Sequence, residues 1–296
     1  MSVARLAPSF VCGALLLAGG AWVSAQQQPV IPYEPPRSFG ASITGAYEGW
    51  FDSADGTHNF LVGYFNRNLK QPQDVPIGPN NRIEPGGPDL GQPTHFQPRR
   101  RTGVFIVPVP KSFTADQKLT WTITVNGQTT QIPLRLHRDY NVNPFGDVAV
   151  GNEPPTLKVL DANAKGIKGP VALLSQAPSL TATVGAPLAL TAWVDDDGKF
   201  ASATMAPVTD GRAPVEFHWN KYRGPGDVTF DPPSPKLEVL KGGKQDQPFS
   251  GKGTTSVKFS APGEYALHLL ATDYSGEGGN GEVCCWTNGY VKVTVK

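Results

Sequence analysis

Apolar and polar residues alternate along much of this chain, and the alternation has period two. Leu119, Trp121, Ile123 and Val125 are interleaved with Thr120, Thr122 and Thr124. After Asn126-Gly127 the pattern resumes at Ile132, Leu134 and Leu136. Period two places successive side chains on opposite faces of a strand, and Asn-Gly supplies two residues that accept positive φ. The stretch therefore predicts a hairpin with one face in a core and one in water. SITGAYEGWF and NFLVGYFNRN flank Asp55-Gly56 in the same way and predict a second hairpin. GVFIVPVP predicts a further strand.

The second half repeats the signal. Leu188, Leu190, Ala192 and Val194 alternate with Ala189, Thr191 and Trp193. Val215, Phe217 and Trp219 alternate with Glu216 and His218. Tyr265, Leu267, Leu269 and Ala271 alternate with Ala266, His268 and Leu270, which places His218 and His268 outward. Val291, Val293 and Val295 close the series. Four such strands separated by turn-rich segments predict a β-sandwich. The expected fold class is all-β: two tandem immunoglobulin-like β-sandwich domains after a cleaved signal peptide.

Between the strands lie breaks. Residues 69–101 hold seven prolines and four glycines, together with Val75, Ile77, Ile83, Leu90 and Phe96, and predict a long ordered loop pinned to its sheet. Residues 146–156 read as a linker. The plan is then a signal peptide at 1–25, an extended proline-rich leader at 26–40, a sandwich at 41–145, the linker, and a sandwich at 157–296. The signal peptide rests on Arg5, the apolar run Val11–Leu17, and the small residues Val23-Ser24-Ala25, with cleavage after Ala25. A secreted or periplasmic protein with no membrane insertion is expected. With Arg5 removed, the 26 basic residues fall to parity with the 25 acidic ones. Such a chain has no general pull on nucleic acid.

WNKYRGPGDVTF, TTSVKFSAPGEYALHLLATD and the valine-alternating end resemble bacterial PKD-type and related immunoglobulin-like modules over residues ~155–296. Trp219 and Tyr265 resemble the core tryptophan and tyrosine corner of those folds. The pattern departs at residues 274–288, where YSGEGGNGEVCCWTN replaces a short final hairpin. The resemblance implies an extracellular β-sandwich acting as a spacer or as a binder of glycans and proteins, and implies no catalysis.

Several residues are candidates for chemistry. Cys284 and Cys285 are the only cysteines after the leader, in an oxidising compartment. Three arrangements compete: thiols on opposite strand faces, a vicinal disulfide offering a flat apolar surface beside Trp286, itself a ligand-binding candidate, or a soft-metal or intermolecular site. The vicinal disulfide is the favoured one. Asp195 and Asp197, in Asp195-Asp196-Asp197-Gly198, are calcium candidates, set against a solvated turn. Trp193 falls on a polar face, as a sugar platform or under a neighbouring segment. The long loop brings Arg82, His95, Arg99, Arg100 and Arg101 as ligand-binding candidates, set against a loop that covers a sheet edge.

The five histidines show no ligand spacing, and neither a G-x-S-x-G elbow nor a phosphate loop occurs. The expected role is a non-catalytic binding or structural module in adhesion, with a protein or glycan partner at the cell surface or in the periplasm and no cofactor beyond possible calcium. The alternatives are a carbohydrate-binding module and a metal or redox protein using the cysteine pair.

Overall fold

The computed structural model describes residues 34–147, 151–199, 213–243, 247–273 and 284–296. The signal peptide and most of the leader lie outside these residues. Glu34–Lys296 group as one compact unit. No helix among the described residues is long and apolar enough to cross a membrane.

The first half contains β1 (Ile43–Asp52), β2 (His58–Asn66), β3 (Gln73–Asp74), β4 (Asn81–Glu84), β5 (His95–Phe96), β6 (Arg99–Val109), β7 (Leu119–Val125) and β8 (Gln128–Leu134). They form two three-stranded sheets, β1-β2-β6 and β4-β7-β8, and a β3-β5 ribbon. Both predicted hairpins are present. Asn126 and Gly127 have φ of 51° and 76°, the pair of left-handed residues that a tight two-residue hairpin loop needs. The sheets enclose Phe60, Phe96, Phe105, Ile83 and the fully buried Trp121, whose Nε1 donates to Asn81 Oδ1 at 3.0 Å.

The second half contains β9 (Thr156–Val159), β10 (Ile167–Lys168), β11 (Ser179–Ala182), β12 (Leu188–Asp196), β13 (Val215–Arg223), β14 (Val228–Asp231), β15 (Glu238–Lys241), β16 (Phe249–Phe259), β17 (Gly263–Asp273) and β18 (Trp286–Val295). One sheet runs β10-β9-β12-β16-β14, with β15 also on β16. The other runs β11-β18-β17-β13, with β11 parallel to β18. Within these sheets, β9-β12-β16-β14 and β18-β17-β13 follow the immunoglobulin-like A-B-E-D and G-F-C orders. Trp219 is buried in the core between the sheets. The Tyr265 hydroxyl donates to Ala261 O at 2.8 Å and accepts from Gly226 N at 3.0 Å, a tyrosine corner.

The two halves share a layer. Alternation correctly separates Leu267, Leu269 and Ala271 from Ala266, His268 and Leu270. The second set, however, does not meet water: every residue of β17 from Tyr265 to Asp273 is buried. Its outer face is covered by β1-β2-β6. Phe51, Leu61 and Ile106 pack with Leu270 and Trp286, and Tyr222, Ala266 and Tyr290 join the first half's core. His268 is thus 7% exposed, against the outward position expected from the sequence. The described residues of the 146–156 segment are also built into the fold. Asn152 is fully buried and donates from Nδ2 to Asp273 Oδ2 at 2.8 Å.

Polar contacts fix the register of this seam. β6 shifts register opposite Gly63. There Gly103 O accepts from Asn288 Nδ2 at 2.8 Å and from Trp286 Nε1 at 3.3 Å, and Val104 O accepts from the Tyr290 hydroxyl at 2.6 Å. Gly103 has φ 51°, and a Cβ there would collide with the Trp286 ring, so both its conformation and its neighbour require glycine. Removing a buried aromatic leaves a cavity and costs about 3–5 kcal/mol. Trp286→Ala is therefore expected to lower stability by about that amount. Because the seam is common to both cores, both halves are expected to unfold in one transition. Urea melts followed by probes placed separately in each half test this, and two separated transitions in the wild-type chain would refute it.

Candidate functional site

The long loop is ordered and engaged. It runs along β13, the edge strand of its sheet, where Thr94 N donates to Tyr222 O at 3.2 Å and the Tyr222 hydroxyl donates to Gly91 O at 2.6 Å. Arg223 forks onto Asp89 with two bonds of 2.8 Å and donates from Nε to Gln92 O. Lys221, 7% exposed, pairs with Asp74 at 3.1 Å, and Asp74 also holds His95 Nδ1 at 2.8 Å. Burial acts to raise the Asp74 carboxyl, but its hydrogen bonds with His95 and Lys221 hold it below its usual range. The fork from Arg223 does the same for Asp89. The loop is the edge cover weighed as the alternative to a recognition surface. His95 belongs to that cover.

Behind the cover lies a small cleft of about 30 Å³, room for a water molecule. Tyr64, His95, Arg101, Asn220, Lys221 and His268 are among the residues lining it. Burial pushes His268 down to about 4, and its Nε2 is 2.9 Å from Asn288 Oδ1. Sequence reasoning missed Asp74, Asp89, Lys221 and Arg223 as partners, because their pairing across 131 or more positions leaves no local spacing signal.

The other candidates are dispersed. Arg82 is paired with Glu84 at 2.8 Å. Arg100 pairs with Glu48 at 2.5 Å, Arg101 lines the small cleft, and Arg99 is exposed with φ 75°. Trp193 is half-buried on the outer face of its sheet, opposite Lys158 and Lys252. Trp286 is a correction: it is fully buried, because the first half covers that sheet face, and it offers no surface to a ligand. Cys284 and Cys285 are joined by a disulfide and are 2% and 0% exposed, with both sulfurs near Asn152 O. With both cysteines buried, the flat exposed surface expected of that ring is absent.

Asp195 pairs with Lys158 at 3.3 Å and accepts from Ser250 Oγ at 2.6 Å. Asp197 pairs with Lys199 at 3.6 Å and accepts from Glu153 N at 3.1 Å. These two calcium candidates thus serve separate contacts, and among the described residues no group of three or more acidic, His or Cys side chains is set to hold a metal ion. Between them, Asp196 is buried, with one oxygen accepting from Gly198 N and no hydrogen-bond partner for Oδ2 among the described residues. Burial, reinforced by Asp197, pushes it up to about 7.

The first-half aromatics do not make a flat platform. Tyr47 meets Tyr140 at 42° and Trp50 meets His58 at 87°. Tyr140 and Phe39 are 51% and 62% exposed.

No family model matches the chain, and no curated protein matches it. Solved structures with some likeness include domains 4 and 5 of the S-layer protein SbsC, at 13% identity and TM-score 0.21, covering 86% of this chain and 98% of that one. Titin A168–A169 matches at 10% identity and TM-score 0.23, covering 85% and 98%. The CFA/I adhesin CfaE of enterotoxigenic E. coli matches at 10% identity and TM-score 0.23, covering 88% and 81%. At these scores the likenesses carry no argument. The immunoglobulin-like assignment rests on the strand order.

His268 and Asp196 give stability two opposed pH dependences. A histidine whose folded value lies below its unfolded one loses stability as pH falls from about 6.5 towards 4. A carboxyl whose folded value is raised loses stability as pH rises from about 3.8 towards 7. Replacing His268 by Gln is expected to remove the first and expose the second, so that the variant grows less stable between pH 4 and 7. Adding Asp196→Asn should flatten the profile. Urea melts across that range decide it, and an unchanged profile in both variants would contradict these assignments.

Proposed function

We propose that this chain is an exported, non-catalytic binding or structural module acting at the cell surface or in the periplasm. One observation carries the reading. The charged side chains of the long loop that reach the second half are used to fasten the two halves into one block, as Arg223–Asp89 and Lys221–Asp74 do. Such a block suits the presentation of a surface at a fixed orientation, and chemistry needs polar groups left unspent in a cleft. The immunoglobulin-like sandwich is compatible with this use, although a fold alone does not define a function.

A protein or glycan is the partner class. The flat-platform form of a carbohydrate module is less well supported, since Tyr47 and Tyr140 are inclined at 42° and Trp50 and His58 at 87°. The redox alternative is also less well supported, since both cysteines are buried. Fluorescently labelled mature chain, beginning after Ala25, is expected to co-sediment saturably with isolated envelopes of the bacterium that encodes it. Added dithiothreitol or Cu(I) should leave that binding unchanged. Absence of saturable binding would overturn the module reading. Binding that appears only with copper, or vanishes on reduction, would favour the cysteine pair.

A further inference from the structure

The outer face of β1-β2-β6 has two parts. Leu61 and Ile106 lie under the seam. Beyond them the cross-strand row Thr44, Phe65 and Arg100 is only partly covered. Arg67 lies over the Phe65 ring, 5.1 Å from its centroid, and its Nη1 bonds Thr44 Oγ1. Arg99 sits opposite Asn66 at the same end of β6, exposed and in a left-handed conformation uncommon for arginine.

The segment leading into β1 brings more of the same chemistry. Arg37 N donates to Arg67 O at 3.0 Å, Leu69 N to Arg37 O at 2.7 Å, and Lys70 N to Ser38 O at 3.2 Å. Gly40 N donates to Gln71 Oε1 at 3.0 Å. These four bonds fix the Arg37–Gly40 turn, yet the turn holds Phe39 62% exposed. The turn thus keeps a large aromatic in water, two residues from Arg37 and next to Ser38, whose O accepts from Lys70 N.

Five cations lie on this row and on the segments tied to the turn: Arg37, Arg67, Lys70, Arg99 and Arg100. Two acids answer them. Glu34 faces Arg37 at 3.7 Å and Glu48 faces Arg100 at 2.5 Å. A net positive surface with forked guanidinium donors fits carboxylates. The ring adds a stacking face, which a sugar uses and a plain anion does not. Nothing here forms the deep apolar pocket on which a protein partner's anchoring residues depend.

We propose that Phe39 together with Arg37, Arg67, Lys70, Arg99 and Arg100 forms a binding surface for a uronate-bearing acidic polysaccharide. This rests on the binding-module reading and names its partner class. The mature chain is titrated calorimetrically with polygalacturonate, with dextran as a neutral sugar and poly-glutamate as a sugar-free polyanion. Polygalacturonate is expected to bind, more weakly as salt is raised, and dextran is not. Arg99→Ala combined with Lys70→Ala, both at exposed positions, should weaken binding about tenfold, the equivalent of about 1.4 kcal/mol. Phe39→Ala should weaken the polysaccharide and leave poly-glutamate unaffected.

Unchanged melting curves establish that the variants fold. Wild-type affinity in both variants would overturn the proposal, as would no binding of polygalacturonate. Equal binding of poly-glutamate with Phe39→Ala silent would reduce the surface to a general anion patch and also overturn it. Envelope binding measured separately distinguishes these failures from failure of the module reading itself.

Discussion

The fold depends on one sheet being buried on both faces. A C-F-G sheet ordinarily packs one side on its own sandwich and turns the other to water. Here β17 and β18 pack on both sides, so each core is incomplete without the other half. Apolar burial of Leu270, Trp286, Leu61, Ile106 and Phe51 supplies about 1.5–3 kcal/mol per side chain. That term is not directional. Register comes from the three bonds that Trp286, Asn288 and Tyr290 send to the carbonyls of Gly103 and Val104. Each adds only about 1 kcal/mol when made, but leaving such buried groups unpaired costs more, so a slipped seam is penalised.

The seam also determines how the edges are closed. An open strand edge invites pairing with another chain. The β13 edge is taken by the loop that carries Gly91–Thr94, and its ionic fork holds that loop down. The β1 edge is taken by the segment after β8: Val142 N donates to Trp50 O, Trp50 Nε1 to His137 O, and the Tyr47 hydroxyl to Arg135 O. In both places an irregular stretch does the work of a missing strand. That explains why so much proline and glycine sits between regular strands.

The elements were legible in the sequence because alternation and turn chemistry are local. Asn126-Gly127, Asp55-Gly56, Trp219 and Tyr265 all lie where their patterns place them. What covers each face was not legible. Alternation says that His268 opposes Leu267, but not whether water or a second sheet meets it. Trp286 read as exposed for the same reason, and Asp89 and Arg223 are partners across 134 positions with no shared motif. The charged loop read as a recognition surface because loops usually carry function. Of the loop's charges, Asp74 and Asp89 are fasteners, paired across the seam with Lys221 and Arg223.

Near-neutral net charge conceals a sorting of cations by duty. Lys221 and Arg223 sit against the seam, largely withdrawn from water and satisfied by Asp74 and Asp89. Their bonds to Asp74, Asp89 and Gln92 O join the two halves, so these cations are committed to structure. Arg99 and Lys70 are exposed, and there a charge gains little from being kept. Exposed cations that no fastening contact uses are the ones that the surface proposed for an anionic partner would draw on.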